Sequence, residues 1–367
     1  MKESRIKAVI NLSNIKHNFT EIKKSAAGSR VISVVKADAY GHGAIEISHA
    51  IESSGGDFFA VACVDEAIIL REGGIKSDII ILGVTPPAQA ELLAKNNLIQ
   101  SVVGEEYAEK LALSAMNLRI HIKIDTGMSR LGIYCHDFSD IENTITEILK
   151  IQSHKNLNCE GVFTHFACSD DTKSKMTNLQ FEIFDALCQK CKARGINLGL
   201  RHCCNSAAII NHPEMKLDAV RAGLILYGLS PFSDISLTQF LPCMELQTHI
   251  AQISHIKKGD TVSYGASFTA SRDMKIATLS IGYADGLSRA LSEKVNVLIA
   301  GKKAMLIGKI CMDLCIADVS DIDCAVGDIA TVFGNAQSVD TIAKILGTIN
   351  YEIICSVKNR VPREYIF

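Results

Sequence analysis

Eight short β-branched runs, separated by helix-like stretches, restrict this chain to very few folds. The runs lie at residues 31–35, 58–62, 79–82, 99–103, 120–124, 161–164, 198–202 and 219–221, with helix-like segments such as 44–53, 88–95, 107–115 and 179–194 between them. Strands that alternate with helices build a parallel sheet, and eight such units predict a (β/α)8 TIM-type barrel. Barrels of this kind carry their chemistry where the strands end, on the C-terminal face. The polar residues at those ends are Lys36, Lys123 with Asp125, His165, Asn205 with Ser206, and Arg221.

The pattern changes after Pro231. Residues 248–256, 275–281, 295–300, 303–307, 314–319 and 329–333 form short, glycine-punctuated, β-prone segments, with one helix-like segment at 339–346. They predict a separate, mostly β C-terminal domain. The expected division is a barrel over 10–233 and a β domain over 234–367, which residues 1–9 join. A length of 367 residues is more than one typical core accommodates, which agrees with two domains.

Composition narrows the function classes. With 48% apolar and 21% charged residues the chain reads as an ordinary globular protein. A net charge of -2 gives no electrostatic footprint for nucleic acid or for an anionic membrane. No apolar run approaches the ~20 residues of a membrane helix, and no apolar segment follows Met1-Lys2-Glu3-Ser4-Arg5 as a secretion signal requires. The expectation is a cytoplasmic protein whose 13 cysteines stay reduced. Cys188-x-x-Cys191 lies in a helix-like stretch with no second pair, so it reads as structural thiols and no metal is expected.

The run 31–35 ends at Lys36 and breaks into Ala-Asp-Ala-Tyr40-Gly-His-Gly. A lysine there either snorkels to water or is a desolvated amine ready to attack a carbonyl. Lys123-Ile-Asp-Thr-Gly-Met-Ser-Arg130 is either a loop with an ion pair or a fork-shaped guanidinium for an anion. Phe163-Thr-His165-Phe166 places a histidine at the sixth strand end. His202-Cys-Cys-Asn205-Ser206-Ala207 runs from the seventh strand into a helix, where exposed amides suit a phosphate. Val220-Arg221-Ala-Gly223 follows the eighth strand, and glycine there permits close backbone approach. The second half contains Val262-Ser-Tyr264-Gly265, Ile281-Gly-Tyr283-Ala-Asp-Gly286, Gly308-Lys-Ile-Cys311-Met312-Asp313 and Ile349-Asn-Tyr351-Glu352.

Taken jointly and in this order, these motifs resemble those of the alanine racemases, and the likeness covers essentially the whole chain. The resemblance implies pyridoxal 5'-phosphate held on Lys36 as a Schiff base, with Tyr40, His165, Asn205, Ser206, Arg221, Gly223 and Tyr351 around the cofactor. It makes Arg130 and Met312 substrate contacts, and Tyr283, Cys311 and Asp313 supporting residues near the entrance. It makes Lys123 a lysine that many members carbamylate. It implies two bases, Lys36 for D-alanine and Tyr264, from the partner subunit, for L-alanine. The protein is then a homodimer with shared active sites that supplies D-alanine for peptidoglycan, with neither nucleic acid nor membrane as a partner.

Arg221 carries the mechanistic reading. The likeness puts it beside the cofactor's ring nitrogen, where many such enzymes use an aspartate. A guanidinium keeps its own proton, so the ring is a weaker electron sink, which suits racemisation over transamination. Decarboxylases of the same barrel type place an acid there, and Arg221 counts against them. A non-enzymatic carrier of the cofactor lacks the β domain, so Tyr264 and Tyr351 count against that. A serine or broad-specificity racemase stays open. Departures from the family pattern are Asp38 for Asn, Ser129 for Gly, Lys309 for Arg, Leu314 for Gln and Phe268 for Tyr.

Overall fold

The structure, a computed structural model, describes residues 4–232 and 237–367, so the expected junction at 233/234 lies outside the described residues. Two compact units emerge. One holds Ile15–Ala39 and Ala44–Leu241; the other holds Tyr40–Gly43, Pro242–Phe367 and the N-terminal residues to Asn14.

In the first unit the eight expected runs become eight parallel strands: Arg30–Val34, Phe58–Val61, Asp78–Ile81, Ile99–Val102, Leu118–Asp125, Leu157–Phe163, Leu200–His202 and Ala219–Ala222. The first pairs with the eighth, which closes the barrel. Closure leaves no edge strand to cap. Helices on the outside bury one stripe each. Ile141–Ser153 buries Ile141, Ile145, Ile148 and Ile151 at helical spacing, and each such isoleucine contributes about 1.5–3 kcal/mol on leaving water. Cys188 and Cys191 both lie buried inside the helix Met176–Ala193, and burial pushes their thiols up, to about 12 and about 11. None of the 13 cysteines, all of them among the described residues, forms a disulfide.

The N-terminal ends of the strands carry an ion-pair network. Arg30 bonds Asp57 and Asp78 at 3.0 and 2.9 Å, and Arg119 bonds Asp78 and Glu160 at 2.9 and 2.8 Å. Burial works against the Asp78 carboxylate, yet Arg119 and Arg30 hold it below the usual range. This face is built for stability, and the opposite one is left for chemistry.

In the second unit six antiparallel strands close a smaller barrel: Met244–Ile256, Met274–Leu279, Cys315–Asp318, Lys302–Ile307, Asn296–Ile299 and Ile329–Phe333. The long strand Met244–Ile256 serves several neighbours and shifts register twice, as bulges allow. Ile6–Asn11 pairs antiparallel with it, and Arg363–Ile366 runs parallel to Ile6–Asn11. The helix Val339–Leu346 forms where the sequence predicts it; the short helix Asn350–Cys355 was not expected. Among the described residues no helix is long and apolar enough to cross a membrane.

Candidate active site

Lys36 follows the first barrel strand and is half-buried. The turn after it is left-handed: Ala37, Asp38, Ala39 and Tyr40 have φ of 52, 53, 53 and 54°. L-residues pay roughly 1–2 kcal/mol each for that conformation, so other contacts must hold it. Ala39 N–H donates to Val35 O at 2.9 Å, Ala37 N–H to Glu66 Oε1 at 2.7 Å, and Ala44 N–H to Asp38 Oδ1 at 2.7 Å. Asp tolerates this region better than most residues. Ser129 also has φ 54°.

Arg221 is almost fully buried. Its Nη1 donates to His202 Nδ1 at 2.8 Å and to His202 O at 3.2 Å. Its Nη2 faces Thr164 O at 2.8 Å, Cys203 O at 2.9 Å and His165 Nδ1 at 3.0 Å. A guanidinium only donates, so both imidazole Nδ1 atoms accept and each ring carries its hydrogen on Nε2. His202 Nε2–H then donates to His121 Nδ1 at 3.0 Å. Burial first, and the Arg221 charge with it, pushes His165 and His202 well below the usual histidine range; burial and nearby arginines bring His121 to about 3. The histidines are therefore neutral, and the positive charge of the chain resides on Arg221. Burial pulls that guanidinium down to about 10, still charged at neutrality. Among the described residues Nε of Arg221 has no partner, so one N–H remains open.

Lys123 is buried at the end of the fifth strand, its Nζ 5.2 Å from the centre of the Phe163 ring. The same ring stacks on His202 and lies 5.4 Å from the Arg221 guanidinium. Burial, then Arg221 and Arg130, bring Lys123 down to about 7. Asp125 Oδ1 gathers the N–H groups of Gly127, Met128 and Ser129 at 2.9–3.1 Å, which shapes the turn that presents Arg130. Arg130 is exposed and forms no ion pair among the described residues. Lys36, Lys123, Arg130 and Arg221 all stand close enough to His165 to disfavour its protonation.

At the seventh and eighth strand ends, Gly223 N–H donates to Ser206 Oγ at 2.9 Å. Asn205 caps the helix Ser206–Asn211, its Oδ1 accepting from Ala208 N–H at 3.0 Å and Ser169 Oγ at 2.8 Å. The expected anion-binding residues are thus gathered in one place.

The second unit presents its own set. The Tyr40 and Tyr351 rings lie 5.9 Å apart. A Cβ on Gly41 would stand 2.7 Å from Ile354 O, so only glycine lets that segment lie against the helix carrying Tyr351. Tyr264 sits at the tip of the hairpin Thr261–Val262/Phe268–Thr269, flanked by Ser263 at φ 66° and Ala266 at φ 49°, and is 70% exposed. The hairpin packs on a small core of Val262, Ala270, Met274, Ile276 and Ile307. Tyr283 and Met312 are also exposed; Cys311 is half-buried and Asp313 exposed.

The buried His121–His202 pair behind Arg221 was not expected. The available signal was a histidine inside each of two β-branched runs that a barrel buries on both sides, where an imidazole needs a polar partner.

A cofactor with an aldehyde, a phosphate and a ring nitrogen fits these groups: the strand-end amine of Lys36, the Ser206–Gly223 pair, and the open Nε–H of Arg221. Fold and site together define a pyridoxal-phosphate-dependent barrel enzyme with an appended β domain. Residues 10–231 match the family "Alanine racemase, N-terminal domain", and residues 243–365 match "Alanine racemase, C-terminal domain". Alanine racemase 1 of Clostridium acetobutylicum is 40% identical over 370 residues, spanning 98% of this chain and 95% of that protein. The alanine racemase of Desulfovibrio desulfuricans is 41% identical over 367 residues, spanning 98% and 97%. The solved alanine racemase of Clostridium difficile 630 superposes with a TM-score of 0.93 at 37% identity, covering 100% of this chain and 97% of its own. The chain belongs to the alanine racemase family.

Proposed function

We propose that this protein interconverts L-alanine and D-alanine, with Lys36 and Tyr264 of the partner subunit as the two bases. Pyridoxal phosphate, held by Lys36, would supply an electron sink that acidifies the α-proton of the amino acid. Lys36 holds the cofactor between turnovers and, once released, exchanges the proton on one face with its Nζ. The phenolic oxygen of Tyr264 of the partner subunit does so on the other face, and a protruding aromatic at a hairpin tip suits such a role. Ser206, Gly223, Asn205, Tyr40 and Tyr351 are assigned to the cofactor, and Arg130 and Met312 to the substrate. Tyr283, Cys311 and Asp313 support the entrance. His165, neutral and with its proton on Nε2, relays the charge of Arg221 as a hydrogen-bond donor. Lys123, brought to about 7 by burial, offers a neutral amine that would add carbon dioxide with release of a proton to give a carbamate, an anion near Arg221 and Arg130. The product role is supply of D-alanine for peptidoglycan, in the cytoplasm, where free thiols persist.

The observation that carries this reading is the open Nε–H of a buried, charged Arg221 whose other donors are engaged. It would offer a ring nitrogen a hydrogen bond and keep its own proton, which would leave the cofactor a weaker electron sink and suppress reprotonation elsewhere. The test compares wild type with Arg221→Glu on L-alanine. Wild type should reach equal amounts of both enantiomers without pyruvate. The variant should racemise about a hundredfold more slowly and release pyruvate by transamination. Unchanged racemisation with no pyruvate would refute the role given to Arg221.

A further inference from the structure

One end of the β domain is wired together by charge. Asp285, fully buried, receives Arg5 through Nη2 at 2.6 Å and Nη1 at 3.2 Å, and Gly282 N–H at 3.0 Å. Arg5 alone therefore neutralises it. Yet a second guanidinium is present: Arg360 Nε stands 3.0 Å from Asp285 Oδ1, and its Nη2 donates to Asp313 Oδ1 at 2.7 Å. The four charges sum to zero. Arg360 bridges a buried anchor and an exposed turn, and the planar fork fixes the direction between them.

The turn it reaches carries Met312. Tyr283 N–H donates to Cys311 O and Ala284 N–H to Met312 O, both at 3.0 Å, and Cys311 N–H closes the turn on Leu314 O at 2.9 Å. A Cβ on Gly282 would stand 2.3 Å from the carbonyl oxygens of Cys311 and Met312, so that side is tightly seated. Among the described residues the Asp313 carboxylate has no partner other than Arg360. Loss of Arg360 thus frees one side of the turn and leaves the other, and Arg5 still neutralises Asp285.

We infer that Arg360 is a positioning residue that fixes the Met312–Asp313 turn and thereby sets how closely the site fits the methyl group of alanine. This rests on reading Met312 as a substrate contact. The Arg360–Asp313 pair is exposed and contributes little to stability, and Arg5 still pairs with the buried Asp285 when Arg360 is lost, so the effect falls on the pose of Met312 rather than on folding. Substrates with a larger side chain, such as serine, gain relative to alanine when the turn loosens.

The experiment measures kcat and KM for alanine and serine in Arg360→Ala, Arg360→Lys, Asp313→Asn and Met312→Ala, with cofactor content and Tm as checks of the fold. Arg360→Ala should raise KM for alanine about tenfold, change kcat less than about threefold, and raise the serine-to-alanine ratio of kcat/KM about tenfold. Asp313→Asn should repeat this from the other end of the pair. Arg360→Lys, which reaches one carboxylate at a time, should fall between. Wild-type KM and selectivity in Arg360→Ala, or equal loss of kcat for both amino acids, would overturn the inference. Should Met312→Ala shift the ratio while Arg360→Ala does not, the clamp falls and the site reading stands. A silent Met312→Ala overturns both.

Discussion

Lys36→Ala is expected to reduce racemisation by about 10⁴-fold or more and to leave no cofactor that borohydride fixes to the chain. Two functions vanish together, the amine that holds the aldehyde and the base for D-alanine. The buried Lys123 is no substitute, because it lies at the end of the fifth barrel strand and Lys36 follows the first. Ser206 and Gly223, proposed to hold the phosphate, are untouched, so the variant should still bind pyridoxal phosphate without a covalent link. Mass spectrometry after borohydride treatment checks this. Stoichiometric adduct in Lys36→Ala would move the cofactor lysine elsewhere.

Tyr264→Phe should slow racemisation by about 10²- to 10⁴-fold while damaging the two directions differently. Removal of one hydroxyl from an exposed hairpin tip leaves its small core intact, so folding is not at issue. The base for L-alanine is lost, whereas Lys36 still takes the α-proton of D-alanine. Solvent deuterium should enter D-alanine without inversion, and faster than it enters L-alanine. Equal exchange into both enantiomers, followed by NMR, would show that Tyr264 is not the L-facing base.

Much of this was legible in the chain. The eight barrel strands fall on the eight β-branched runs because a parallel strand buried on both faces is a continuous apolar segment. Strand ends follow from the runs, and so do Lys36, His165 and Arg221. Other features depend on distance along the chain. Ile6–Asn11 finds Met244–Ile256 and Arg363–Ile366 as neighbours, and no local periodicity records pairings that remote. His121 and His202 are 81 residues apart and become a hydrogen-bonded pair only when the barrel brings the fifth and seventh strands into reach. The left-handed turn at Ala37–Tyr40 was equally hidden. Alanine and tyrosine have no preference for positive φ, and only Gly41 and Gly43 marked a turn.

The central claim is a site that combines Lys36 of one subunit with Tyr264 of the other, and subunit mixing tests it most directly. Isologous pairing gives two such sites per dimer. Lys36→Ala and Tyr264→Phe chains alone should each be nearly inactive. After random exchange about half the dimers are mixed, each with one doubly damaged and one intact site, so about a quarter of wild-type activity should return. If both residues came from one chain, no mixture would assemble an intact site. Absence of recovered activity, with subunit exchange verified independently, would contradict the shared two-base site.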